Sequence, residues 1–412
     1  MHRPSPASDR EAPLSSTRPS ALPIIVVGGG IGGMAAALAL SQAGYDVDLF
    51  EQAAEIGEIG AGIQLGPNAF AALDALGCGP RARARAVYND ELVMMDAVDG
   101  AEVARMPVGA AFRERFGNPY AVIHRADIHL SIYEEARLNP RVRTHTSARI
   151  ERIDVDDTGV TATGSDGRTH RGCALVGADG VRSVVRGRLL GDGHRVSGHV
   201  VYRAVVPHDE MPSDLRWNAA ALWAGPNCHL VHYPLRGGEQ YNIVVTFHSR
   251  EPEQWSVREG SMDEVMSYFT GICERPRQLL YKPTSWKRWA TADRDPVGQW
   301  GEGRATLLGD AAHPMLQYLA QGACMAIEDA VTLREAILAC DHDLAAAFRL
   351  YEARRVVRTA RVVLSAREMG RIYHASGVER LVRNSLFAGR TPEQYYDRVE
   401  WLYGWTVDKC LV

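Results

Sequence analysis

The chain has 412 residues, 46% of them hydrophobic, and a formal net charge of −4, so it can bury a sizeable core as two domains or one large domain with an appendage. The charge gives no electrostatic reason to invoke DNA, RNA or an anionic membrane, and no apolar run approaches the roughly 20 residues that span a bilayer. The seven cysteines are scattered, odd in number and free of C-x-x-C pairs, which fits reduced thiols in a cytoplasmic protein and leaves no zinc or other metal site to expect.

Residues 1–22, rich in Pro, Ser and Arg, lack the apolar region of a signal peptide and read as a disordered tail. The stretch Leu22 to Glu51 follows as strand, glycine turn, helix and second strand in one unbroken unit. Ile24 to Val27 is an unalternated β-branched run, the pattern of a strand buried on both faces of a parallel sheet. Gly28, Gly30 and Gly33 spell G-x-G-x-x-G. The first permits a tight turn, the second lets backbone approach a pyrophosphate, and the third lets helix pack closely on strand. A helix over Met34 to Ala43 stops at Gly44, and a strand over Tyr45 to Phe50 ends on Glu51, at the distance where a carboxylate accepts ribose hydroxyls. That acid argues against a 2′-phosphorylated ligand and leaves FAD or NAD.

Beyond Glu51, a glycine-rich loop leads to a helix from about Asn68 to Leu76. Arg81, Arg83 and Arg85 alternate with Ala and read as a solvated helical face. Asn89 to Arg105 alternates in strand fashion about a turn at Asp99-Gly100, and a helix runs from His124 to about Leu138, ended by Asn139-Pro140. Val142 to His170 reads as a strand and hairpin, and Ala174 to Gly177 as a buried strand running into Asp179-Gly180. His199 to Val206, Ala219 to Trp223, His229 to Leu235 and Tyr241 to His248 read as a separate antiparallel sheet of four or five strands. A short buried strand, Arg304 to Leu308, precedes Gly309-Asp310, and Ala323 to Ala339 is helical. In the last long helix, Val356, Ala360, Val363 and Leu364 share an apolar face, opposite Arg354, Arg358 and Arg361, which read as solvated.

Three motifs in fixed order, GGGIGG, GADGVRSVVR and LLGDAAHP, resemble those of the FAD-dependent aromatic hydroxylases, the single-component flavoprotein monooxygenases, over about residues 23–335. The resemblance implies an α/β chain: a Rossmann-like FAD-binding domain over 23–93, 119–199 and 296–345, a second, antiparallel-sheet substrate domain over 94–118 and 200–295, and a C-terminal helical segment over 346–412. It implies non-covalent FAD held through its ADP half by Gly28, Gly30, Gly33 and Glu51, with Ile31, Gly32 and Gln52 beside them. Arg125 matches the arginine that reaches the pyrophosphate or ribityl chain, and Asp310 the acid that bonds a ribityl hydroxyl. Asp179, with Gly180, matches a position serving both FAD and the nicotinamide cofactor, taken as NADH, and the amides of Gly322 and Ala323 are expected to face flavin N1 and O2. The AQGACM loop departs there from the commoner glycine-rich version, but the argument needs only backbone.

GPNCHLVHYPLRGG, HPMLQYLAQGA and WLYGW resemble the 3-hydroxybenzoate 6-hydroxylase branch more closely. Its pocket His, Tyr and Gln fall on His229, Tyr233 and Gln317, and a strand period puts positions 229 and 233 on one face with His232 on the other. In this reading NADH reduces FAD, O2 adds to give a flavin C4a-hydroperoxide, and its distal oxygen enters the ring para to a phenol whose proton His229 accepts. The implied partners are a small aromatic acid and O2, with no nucleic acid and no integral membrane association, and a homodimer is left open. Competing readings are a salicylate 1-hydroxylase forming catechol, a flavin oxidase or reductase, and a non-catalytic flavoprotein.

Overall fold

A computed structural model describes residues 21–57 and 61–412. The expected tail lies outside the described residues up to position 20, as do positions 58–60 of the glycine-rich loop. Five parallel strands stand in the order Ala305–Leu307, Ala174–Gly177, Ile24–Val27, Val47–Phe50, Val142–His145. Ile24–Val27 is central and buried along its whole length, which its β-branched run requires. The helix Ile31–Gln42 begins three residues before the expected start, because Gly32 and Gly33 enter its first turn. It packs against the helices Gly322–Ala339 and Arg125–Leu138, and Gly44 closes it at φ +96°.

The second sheet has eight strands rather than four or five. They run Ser256–Glu259, Lys287–Asp293, Arg195–Pro207, Gln240–His248, Cys228–Leu235, Ala219–Gly225, Glu91–Asp96, Glu102–Pro107. Every pair is antiparallel except Ala219–Gly225 with Glu91–Asp96. The 93/94 and 199/200 boundaries fall inside Glu91–Asp96 and Arg195–Pro207, since pairing over long sequence distances decides which sheet a strand joins. Val142–His145 likewise joins the parallel sheet, while Ile150–Asp156, Gly159–Gly164 and Thr169–Gly172 form a three-stranded antiparallel sheet. The outer face of the large sheet carries Trp223, Leu230, Val245 and Phe247 against Val265, Phe269 and Leu280. Among the described residues, no helix is long and apolar enough to cross a membrane.

The C-terminal segment is three helices, Leu344–Tyr373, Gly377–Phe387 and Pro392–Tyr403. The division expected in the first of them holds only in part. Leu364 is 50% exposed, and the buried stripe runs through Ala347, Tyr351, Arg355, Thr359, Val362 and Ala366. Arg358 is not solvated: it bonds Glu328 at 2.7 Å and the carbonyls of Trp401 and Leu402, while Arg361 lies over the Trp401 ring at 3.9 Å. Arg355 is buried, with Glu328 and Asp329 both at 2.6 Å. Arg81 and Arg85 similarly pair with Glu134, and Arg83 with Asp74, joining neighbouring elements rather than facing water alone.

Candidate active site

A cavity of about 2200 Å³ opens at the carboxyl ends of the parallel strands and reaches the inner face of the eight-stranded sheet. Its size exceeds the roughly 300–1,000 Å³ of ordinary small-ligand pockets. Its place, outside the carboxyl ends of parallel strands, is where α/β sheets bind nucleotides.

The glycine turn forms one end. Gly28 has φ +103°, and a side chain there would strike the Ala178 carbonyl. A side chain at Gly33 would strike the Gly28 carbonyl, so this glycine serves helix packing and is absent from the lining. Gly28, Gly30, Ile31 and Gly32 line the cavity together with Glu51 and Gln52. Glu51 accepts from the Gly29 amide at 2.7 Å and the Ala53 amide at 2.8 Å, which fixes its carboxylate at the turn. His129, which sequence reasoning missed, holds the same turn through a 2.7 Å contact with the Gly29 carbonyl.

Arg125, Asp179, Gly180, Asp310, Gly322 and Ala323 line the same cavity. The Asp179 carboxylate accepts from Ser183 Oγ and, at 2.7 Å, from the Val184 amide, capping the helix Val184–Leu189. Burial raises its pKa above the usual carboxylate value, against the pull of those donors. Arg186, fully buried, pairs with Asp192 and donates to the Ala311 carbonyl at 3.0 Å, so the middle motif braces the turn of the third. Asp329 completes that turn by accepting from the Gly309 amide at 3.0 Å and contacting His313 at 2.6 Å. Gly322 opens an 18-residue helix whose N-cap, Gln321, makes no side-chain cap bond, so its first amides are not claimed by a cap. A carboxylate at the first turn, a cation at Arg125 and helix N-termini at two places suit the hydroxyls, phosphates and electron-poor ring of FAD.

The other end is built on Cys228–Leu235. His229, Val231 and Tyr233 line the cavity, whereas Cys228 and Leu230 enter the outer core and His232 packs beside Trp217 at 5.6 Å. Gln317 donates to Thr246 Oγ1 at 3.4 Å, and Thr246 is the register partner of His229, so the glutamine and the histidine meet on one wall. Tyr233 lies where Gly62 has no side chain; a Cβ there would collide with its ring. The Gly62 amide is held by Asn242 Oδ1 at 2.9 Å, and burial raises the Tyr233 pKa, so its hydroxyl stays protonated. His229 is 3% exposed; burial, then the neighbouring His199, pulls its pKa to about 3 and keeps the ring neutral. Its Nδ1 lies 2.8 Å from Nε2 of His374.

Arg203 also lines this wall and escaped sequence reasoning. Its signal was a single charge within the apolar strand VVYRAVV. It enters none of the ion pairs among the described residues, and burial lowers its pKa from the usual guanidinium value.

A sequence model of the FAD binding domain matches residues 21–365. The chain is 65% identical over 396 residues to a 3-hydroxybenzoate 6-hydroxylase of Polaromonas naphthalenivorans (strain CJ2), covering 96% of this chain and 99% of that protein. It is 61% identical over 387 residues to a 3-hydroxybenzoate 6-hydroxylase of Klebsiella oxytoca, covering 94% and 98%. Among solved structures, Klebsiella pneumoniae HpxO complexed with FAD and uric acid superposes with a TM-score of 0.80 at 26% identity, over 95% of this chain and 97% of that one. A salicylate hydroxylase substrate complex does so at 0.80 and 27%, again over 95% and 97%. With the sequence match running from the glycine turn into the long C-terminal helix, and with the three motifs gathered around one cavity, the chain belongs to the FAD binding domain family and is a flavoprotein monooxygenase.

Proposed function

We infer that the chain hydroxylates 3-hydroxybenzoate at the position para to its phenol, giving 2,5-dihydroxybenzoate (gentisate), with NADH as the reductant. The observation that carries this reading is the wall on which His229, Tyr233 and Gln317 share the cavity with the FAD-facing elements. Bound FAD supplies the activation of O2; the chain's own residues bind, orient and deprotonate. Hydroxylation para to a phenol is helped by its deprotonation. A phenol titrates near 10 and a free imidazole near 6.5; burial keeps the His229 ring neutral, hence able to accept a proton, but also lowers its affinity for one, so the proton it takes has to pass on. Gln317 orients the phenolic oxygen, the Tyr233 hydroxyl donates to the carboxylate, and Arg203 offsets its charge. The division into an FAD-binding and a substrate part with the cavity between them, its limits moved so that Glu91–Asp96 and Arg195–Pro207 stay whole, belongs to the same proposal, as do a cytoplasmic location and a homodimer.

A panel of hydroxybenzoates scored together for NADH oxidation and product identity tests it. 3-Hydroxybenzoate is expected to give gentisate in near-stoichiometric ratio to NADH. Catechol from salicylate, with no gentisate, would move the chain to the salicylate hydroxylases, and NADH consumption indifferent to any aromatic acid would overturn the hydroxylase reading itself.

Glu51→Ala tests the cofactor site. Loss of a charged acceptor is worth roughly 1.5–3 kcal/mol, so FAD affinity is expected to fall about ten- to a hundredfold, with the apoprotein's circular dichroism unchanged. Flavin titration giving the wild-type Kd would remove Glu51 from the ribose.

A further inference from the structure

His229 is held between two environments. It lines the cavity, and its Nδ1 is engaged by Nε2 of His374 at 2.8 Å, which leaves Nε2 as the nitrogen open to a ligand. His374 caps the carboxyl end of the 30-residue helix Leu344–Tyr373 and lines the same cavity as His229, where it is less deeply buried than His229. Two imidazoles joined nitrogen to nitrogen share one hydrogen, and the bond fixes both tautomers together. If His229 Nε2 is to accept a proton, its Nδ1 carries the shared hydrogen and His374 carries its own on Nδ1.

A buried imidazole with no carboxylate beside it is a poor place to leave a proton. Among the described residues, no carboxylate bonds to His229, His374 or His199, and no group of His, Cys, Asp and Glu is placed to hold a metal ion. His374 is faced by His229, by His199 at 5.5 Å between ring centroids and by Tyr318 at 5.7 Å, with His248 acting on it from the neighbouring strand. Burial, then those three histidines, pushes its own pKa well down. Arg195 and Asp293 act on His199 at the edge of the cluster, and Asp293 is already paired with Arg195 and Arg367. A proton arriving here therefore has to move on, and the less deeply buried ring at a helix carboxyl end, where the backbone dipole favours a passing cation, is the exit.

We propose that His374 is the outlet of a two-imidazole relay that carries the substrate's phenolic proton from His229 to solvent, making it a positioning residue that acts through His229. The proposal rests on His229 being the base for the phenol. The phenolic O–H breaks as His229 Nε2–H forms; His229 Nδ1–H breaks as His374 Nε2–H forms; and His374 Nδ1–H passes to water. One proton leaves the substrate, one enters solvent, and no redox change occurs. Reprotonation along the reverse path restores both tautomers.

The test uses the FAD-loaded enzyme in rapid-mixing experiments that separate flavin reduction from hydroxylation. In the wild type, hydroxylation rates in mixed H2O and D2O are expected to bend away from a straight line, because more than one proton is in flight. His374→Gln can still accept from His229 Nδ1 but cannot pass a proton on. It is expected to keep substrate affinity, slow hydroxylation about ten- to a hundredfold and straighten the isotope plot. Added imidazole is expected to restore part of the rate in His374→Ala, which a purely structural role would not allow. A linear wild-type plot, or His374→Gln hydroxylating at the wild-type rate, would overturn the relay. If His229→Ala also hydroxylated normally, the base assignment would fall with it; if His229→Ala is slow while His374→Gln is normal, the base stands and only the outlet is lost.

Discussion

Replacing His229 by alanine is expected to leave substrate-stimulated flavin reduction in place while slowing hydroxylation on the order of 10²-fold, within the range for removing a general base. The oxygen consumed should then appear as hydrogen peroxide, so the ratio of gentisate to NADH oxidised falls. The control lies three residues along the same strand. His232 is fully buried on the opposite face, beside Trp217, and neither of its ring nitrogens has a hydrogen-bond partner among the described residues. His232→Ala should cost stability through the space it leaves and leave coupling intact. Tight coupling in His229→Ala together with uncoupling in His232→Ala would reverse the catalytic face of the strand, and Tyr233 and Gln317 would lose their roles with it.

The largest stability effect is expected at Arg355. Its guanidinium is buried and is shared by Glu328 and Asp329, each at 2.6 Å, so Arg355→Ala strands buried carboxylates without their main counter-charge. Removing one partner of such a cluster costs about 3–5 kcal/mol, read as a large fall in Tm and in the temperature at which flavin is released. Asn68, Arg358 and His313 remain, but Arg358 serves Glu328, not Asp329. Adding Asp329→Asn to Arg355→Ala should therefore recover part of the loss. The pH dependence has a definite sign. Burial alone would raise the Asp329 pKa, but His313 and Arg355 outweigh it and hold it at about 2. Its contribution is fully present above the unfolded carboxyl's value near 3.9 and is lost as pH falls toward 2. A loss of less than about 1 kcal/mol in Arg355→Ala would show that the cluster is dispensable.

Local order was easiest to read from the chain. The strand Ile24–Val27, its glycine turn and the helix after it are fixed by β-branching, glycine placement and an apolar run within 20 residues, and they lie where the pattern puts them, apart from a helix start three residues earlier. The register of Cys228–Leu235 was equally legible, because a two-residue period needs no distant partner. What failed was pairing across distance. Helical periodicity put Arg354 and Arg361 on an exposed face, where they lie, but it put Arg358 with them, since nothing near it in sequence shows that Glu328 and the Trp401 and Leu402 carbonyls come to meet it. Arg355, the most buried of the group, drew no notice at all. Strand periodicity alone undercounted the eight-stranded sheet, because Glu91–Asp96 joins it through a strand more than 120 residues later; only the family resemblance set 94–118 beside it. His374 carries no sequence signal, and only the carboxyl end of a 30-residue helix brings it to His229.

The missing side chain at Gly62 has a consequence for how this pocket can change over evolution. The Tyr233 ring occupies the space a Cβ would take, so the wall at that point is cut by subtraction, one carbon deep. A methyl group at position 62 has to displace the ring. With Tyr233 as the proposed contact for the substrate carboxylate, a change at position 62 would shift ring selectivity by a single-atom step from a strand distant in sequence.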